Sequence, residues 1–237
     1  MRQEEAMNDN AVHLPSPRRR GAGAALMTSG VVFFTAEFIA AAAWTDPPYS
    51  YTHHFISNLG VHGPSTAFGQ FMYSPLAWVM NTGFFLFGLA ALVGVLVLRG
   101  LPGRRHRPEV VAAGLLAAGG VLLAFHPGSG EAADSGATDL HGLGAFLAFL
   151  GGNVLAILIG RTHELLGLSR GLGRGLVAAG VLGLVSIAAF AAVLASDAGI
   201  LIGLVERGIV YPFLIGFIVV GAALRKRRTP AGTTGSH

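Results

Sequence analysis

The chain has 237 residues, 52% of them hydrophobic and only 12% charged, with a mean hydropathy of +0.61 and a pI near 10.1. Water-soluble domains carry about 25% charged residues, so half that share between long apolar runs marks a chain whose main solvent is lipid. The absence of cysteine excludes disulfides, thiolate metal sites, iron–sulfur clusters and cysteine nucleophiles. The basic residues sit in short clusters between apolar runs, which is an orientation signal and not a nucleic-acid footprint.

In chain order, residues 1–21 are polar, contain Pro15 and Pro17, and read as a disordered cytoplasmic tail. Six apolar blocks follow at 22–44, 74–98, 109–126, 141–160, 174–195 and 199–224, each near the roughly 20 residues a bilayer core requires. The first is too long for a cleaved signal peptide and reads as a retained anchor. A tight turn at 196–199 joins the last two, and 225–237 form a basic tail. No connection is long enough for a separate soluble domain. The expected fold is an all-α, polytopic bundle of six transmembrane helices, spanning 22–224.

Orientation follows from Lys and Arg, which are retained on the cytoplasmic side. Arg2, Arg18, Arg19, Arg20, Arg99, Arg104, Arg105, Arg107, Arg161, Arg170, Arg174 and the RKRR of 225–228 all fall on one side of a six-span chain. Arg207, within a block, is the exception. Both termini are therefore expected to be cytoplasmic, in the cell membrane.

The opposite side carries the polar residues. The stretch YSYTHHFISNLGVHGP (49–64) gathers three histidines, two tyrosines, two serines and an asparagine into sixteen residues. His126 closes the third block and His141 opens the fourth on that same side, with Glu131, Asp134 and Asp139 between them.

Charges within the spans are more informative, because each is costly by about 2.5–3.5 kcal/mol on insertion scales and such groups face an interior or a cavity. Glu37 lies seven residues before Trp44, expected as an interfacial anchor, hence roughly 10 Å below the surface. Glu206 and Asn81 come out at a similar depth. Glu206 shares a stripe with Gly199 and Gly203, and Glu37 with Gly30, Ala40 and Ala41, the small-residue faces that pack in lipid. These positions predict a polar pocket between the first, second and sixth helices. If Arg207 pairs with one carboxylate, the other lacks a counter-charge, and burial then favours its neutral acid, a proton donor. The alternative is an Arg–Glu pair that only locks helices.

His53, His54, His62, His126 and His141 could supply metal ligands. No HExxH or comparable spacing is present, so no metal and no cofactor is expected, and these histidines are read as lining the mouth of the pocket. Ser57 has no GxSxG context for a nucleophile.

The motifs YS…ISNLG (Tyr49, Ser50, Ile56 to Gly60), His126–Pro127, His141–Gly142 and Glu206–Arg207 together resemble the six-helix bacterial and archaeal membrane family known as "domain of unknown function 998", over about residues 22–224. That resemblance implies the six-span architecture and supplies no reaction. In architecture alone the chain is also similar to small membrane-bound terpenoid cyclases, which are thought to start cyclisation by protonation from an intramembrane carboxylate. That similarity would make Glu37 and Glu206 the acid–base pair and Arg207 their orienting or neutralising partner. Phe33, Phe34, Trp44, Tyr73, Trp78, Phe84, Phe85 and Tyr211 would be pocket aromatics able to face a carbocation. The leading expectation is a membrane enzyme for a hydrophobic lipid or isoprenoid substrate, bound by Asn81, Trp44, Trp78, Tyr211, His53, His54, His126 and His141. Its rivals are a non-catalytic assembly protein and a small proton-coupled transporter. Membrane lipids are expected neighbours of the chain under each reading.

Overall fold

The computed structural model describes residues 16–67, 69–98, 103–128, 139–196 and 201–226. Glu131, Asp134 and Gly199 lie outside the described residues. Among the described residues six long helices follow one another: α1 (Ser16–Ala43), α2 (Ala77–Val97), α3 (Gly103–Phe125), α4 (Leu140–Arg161), α5 (Arg170–Ala195) and α6 (Ile202–Arg225). Each is long and apolar enough to cross a bilayer, and the chain is a multi-pass membrane protein.

The helix ends depart from the expected ones where polar residues extend an apolar block. α1 begins at Ser16, so the arginine-bearing turn before the apolar block is helical, and Arg19 Nε donates to the Leu224 carbonyl at 3.2 Å. α3 begins at Gly103 and carries Pro108 inside it. α5 begins at Arg170 because Ser169 caps it, its hydroxyl accepting from Leu172 N–H at 3.3 Å. This is the usual way a serine satisfies one of the free N–H groups of a first turn.

Consecutive helices pack antiparallel in a ring, α6 closes it against α1, and α4 also reaches α6 across the centre. Small residues set the close approaches. A Cβ on Gly23 of α1 would stand 2.6 Å from the Gly221 carbonyl oxygen of α6. In lipid, where burying apolar surface gains nothing over contact with acyl chains, such backbone proximity supplies the packing. Inside the ring, Phe33 meets Phe87 and Phe84 with centroids 5.2 and 6.0 Å apart. Asn153 of α4, fully buried, donates to the Ile209 carbonyl of α6 at 3.1 Å.

The two ends of the bundle differ. One holds both ends of the helical ring together with Arg18, Arg20, Arg107, Arg161, Arg170, Arg174, Arg225 and Lys226; we call it the basic end. The other, the loop end, carries the long α1–α2 connection. That connection contains a buried 3-10 helix, Ile56–Gly60, and a two-stranded hairpin of β1 (Ser65–Ala67) and β2 (Gln70–Met72). The strands are antiparallel, with Thr66 opposite Phe71.

Candidate functional site

The α1–α2 connection folds down into the ring. Asn58 Nδ2 donates to Gln70 Oε1 at 2.7 Å, and Gln70 Nε2 donates to the His53 carbonyl at 2.5 Å, so the hairpin braces the loop. The Ser74 amide donates to the Val61 carbonyl at 2.9 Å. Gly60 sits against α2, where Asn81 Nδ2 donates to its carbonyl at 3.0 Å. A Cβ at Gly60 would collide with Asn81 Oδ1, which accounts for a glycine there.

α6 holds this loop with two consecutive charged residues. Successive helical positions are about 100° apart, so Glu206 and Arg207 face different neighbours. Arg207, 5% exposed, turns toward α1 and the loop. Its Nη2 donates to Glu37 Oε1 at 2.9 Å and to the Tyr49 hydroxyl at 2.6 Å. Its Nη1 donates to the Tyr51, Gly203 and His54 carbonyls at 2.7, 2.9 and 3.2 Å, and its Nε to the Tyr211 hydroxyl at 3.2 Å. The guanidinium also stands 4.8 Å from the Tyr51 ring centroid. The two hydroxyls pass the bonding on: Tyr211 donates to Glu37 Oε1 at 2.9 Å and Tyr49 to the Phe55 carbonyl at 3.0 Å. Every nitrogen of the guanidinium is thus engaged, as a buried charge requires if it is not to be strongly unfavourable.

Glu206 faces the interior of the ring. Its Oε2 accepts from the Ile56 amide at 2.5 Å, which pins the start of the 3-10 helix. With Ser57 it lines a narrow apolar cavity otherwise walled by Phe33, Phe84, Phe87, Phe149 and Phe213 among others. The cavity volume is about 20 Å³, room for a single water molecule. Of the two carboxylates, one is therefore bound to Arg207 and the other is not, which is the division the sequence posed as a condition.

Several expected positions move. The cavity draws on α1, α2, α3, α4, α6 and the loop, and neither Glu37 nor Asn81 lines it. Trp44 is no interfacial anchor: it is 2% exposed, because the loop folds back so that His54 stacks on it at 5.2 Å. Trp78 is 67% exposed on the outer surface of α2, in a groove shared with Val31 and Thr35. Tyr73 is also exposed; Phe85 packs on Phe125 at 6.0 Å, and Phe34 on Tyr211 at 4.9 Å. Gly203 makes room for the loop and not for another helix, since a Cβ there would collide with the His54 carbonyl.

The histidines separate as well. His53 is exposed, and only its carbonyl joins the network. His54 has its ring between Trp44 and Tyr49, centroids 5.2 and 5.3 Å away, and its Nδ1 accepts from the Ser50 amide at 2.9 Å. Burial, then His53 and Arg207, hold this imidazole below the usual histidine range. Burial likewise pushes the Tyr49 phenol up, with Arg207 opposing. His126 and His141 do meet, but through the backbone: His141 Nδ1 bonds the His126 carbonyl at 2.8 Å beside the Asp139 cap of α4. Among the described residues no three His, Asp or Glu side chains converge as a metal centre needs.

Tyr49, Tyr51 and the Ile56 amide are partners that the charge argument did not name. A signal was available: an arginine with five N–H donors and one carboxylate must find other acceptors, and the nearest loop offers YSY. Glu109 was also missed. It is 3% exposed at the basic end of α3, with the Thr162 hydroxyl 3.1 Å from its Oε1.

The model of the family described as "Protein of unknown function (DUF998)" matches residues 16–223. No curated protein and no solved structure matches the chain. The chain belongs to the DUF998 family.

Proposed function

Taking a DUF998 membrane protein as the premise, we propose that it acts on a hydrophobic lipid or isoprenoid molecule admitted beneath the α1–α2 loop. Glu206 is the acid–base group of this reading, and Glu37 and Arg207 position the loop. One observation carries it: Glu206 is the carboxylate that Arg207 leaves unpaired, and it lines an aromatic cavity. A carboxyl in apolar surroundings can serve as a proton donor, and ring faces stabilise developing positive charge. Protonation-initiated cyclisation is one chemistry of this class. The cavity has room for one water molecule, so admission of a chain requires the loop to lift. The protein lies in the cell membrane with both termini cytoplasmic, as the Lys/Arg distribution directs.

A second reading has its own support. The engaged nitrogens of Arg207 and the small cavity suit a cluster that only fixes loop and helices, in a non-catalytic assembly protein. Mass spectrometry of lipid and metabolite extracts from cells producing wild type or Glu206→Gln at equal membrane levels separates the two. Gln keeps an acceptor for the Ile56 amide, so the loop is retained. A species converted by wild type and left unconverted by Glu206→Gln is the expected result. Identical extracts, in a host supplying the natural metabolites, contradict the catalytic reading.

A further inference from the structure

We propose that His54 is a pH-sensitive latch that releases the α1–α2 loop from the cavity when its imidazole is protonated. The inference deepens the proposed function, since it rests on the loop being the lid of that cavity, but its test reads loop opening and not conversion.

The geometry admits one protonation state. His54 and Ser50 close a small ring: the His54 amide donates to the Ser50 carbonyl at 2.9 Å, and the Ser50 amide donates to His54 Nδ1 at 2.9 Å. An Nδ1 that accepts carries no proton, so the closed loop holds the neutral tautomer with its proton on Nε2. A proton added at Nδ1 would turn that acceptor into a donor facing another donor. The residue's own carbonyl accepts from Arg207 at 3.2 Å, so the new charge would also arise beside a fixed guanidinium.

One contact acts the other way. An imidazolium stacked between Trp44 and Tyr49 would gain a cation–π attraction. Against it stand the lost hydrogen bond, two donors forced together, partial burial, and repulsion from Arg207 and His53. The lowered pKa of His54 agrees that the opposing effects prevail. Among the described residues, the other ionisable groups of the Arg207 cluster beside His54 are Tyr49 and Tyr51 in the loop, Glu37 from α1, and Tyr211 and Glu206 from α6. Of these, Glu206 also holds the loop, through Ile56, and needs its own control.

The sign follows. A base held below its ordinary pKa in the closed form binds fewer protons there than in the open form. Closure is therefore fully favoured above about pH 6.5, the ordinary histidine value, and weakens as pH falls below it. When His54 is protonated, the Ser50 bond breaks and the ring leaves its stack. The carbonyls of Tyr51 and His54 then lose register with Arg207.

The chain has no cysteine, so single-cysteine reporters need no background removal. Ser57→Cys places a thiol at the cavity wall, and Thr66→Cys, exposed on the hairpin, corrects for the pH dependence of thiol reactivity. The full-length protein in lipid nanodiscs is treated with a maleimide between about pH 8 and about pH 5.5, a window that spans histidine titration. The expected result is a severalfold rise on acidification in the labelling of Ser57→Cys relative to that of Thr66→Cys. His54→Asn keeps an acceptor for Ser50 without titrating in this window, and His54→Phe keeps the stack; both, added to each reporter, are expected to give a flat ratio. Glu206→Gln is expected to retain the rise. A flat ratio with His54 in place, or an unchanged rise in a folded His54 variant, overturns the latch. Loss of the rise in Glu206→Gln alone would assign the response to the carboxylate and overturn it equally.

Discussion

Glu37 and Arg207 form a buried pair, and the cost of such pairs lies in breaking them singly. Glu37→Leu leaves a guanidinium inside the bundle without its carboxylate, and a loss of about 3–5 kcal/mol is expected. Thermal unfolding in detergent should show it as a large fall in Tm. Replacing both by Met removes two desolvated charges together and should recover most of that loss, because matched apolar groups often serve as well. Gly60 is a second test at this scale. Gly60→Ala must push Asn81 aside and break its 3.0 Å bond to the loop, at a cost of about 1 kcal/mol from the bond alone. Asn81→Ala should make Gly60→Ala less harmful, a coupling readable from a double-mutant cycle in the same assay.

At the scale of the element, the loop explains positions that the helices do not. Gly203 lies in the first turn of α6, where the carbonyls of Tyr51 and His54 come in to meet Arg207. Gly203→Val should displace the loop while the six spans persist, seen as faster amide exchange within 49–60 and unchanged helical circular dichroism. The six spans were legible in the sequence because lipid imposes a one-dimensional rule: about twenty apolar residues per crossing. Their ends were less legible, since Ser169 as a cap and the arginine-bearing first turn of α1 extend helices beyond the apolar runs. The marked residues Glu37, Glu206 and Arg207 were legible for a similar reason, each being costly in lipid without a partner. The pairing of Arg207 with one carboxylate was legible with them, but the loop groups that complete the cluster were not. Tyr49, Tyr51 and Ile56 reach the charges only because the loop re-enters the ring, and that re-entry depends on Asn58, Gln70 and Asn81 each finding its partner. The same re-entry buries Trp44, which sequence position alone assigned to the interface.

Over the whole molecule, the basic and loop ends give the chain a direction. The Lys/Arg tally predicts that Thr66→Cys in intact cells reacts with a membrane-impermeant maleimide and that Lys226→Cys does not. Labelling of both, or of Lys226→Cys alone, would contradict that orientation. The charges carried by α6 hold the α1–α2 loop over the aromatic cavity through the Ile56 amide and the Tyr51 and His54 carbonyls. Hydrogen–deuterium exchange of residues 49–60, compared between wild type and the Glu37→Met/Arg207→Met protein, is the decisive comparison. Exchange is expected to rise within 49–60 while the cores of α2, α3 and α4 stay protected, because the loop opens as a local unit once its clamp is gone. Equal protection of 49–60 in both proteins would contradict it, and the ion pair would then join α1 to α6 without governing the loop.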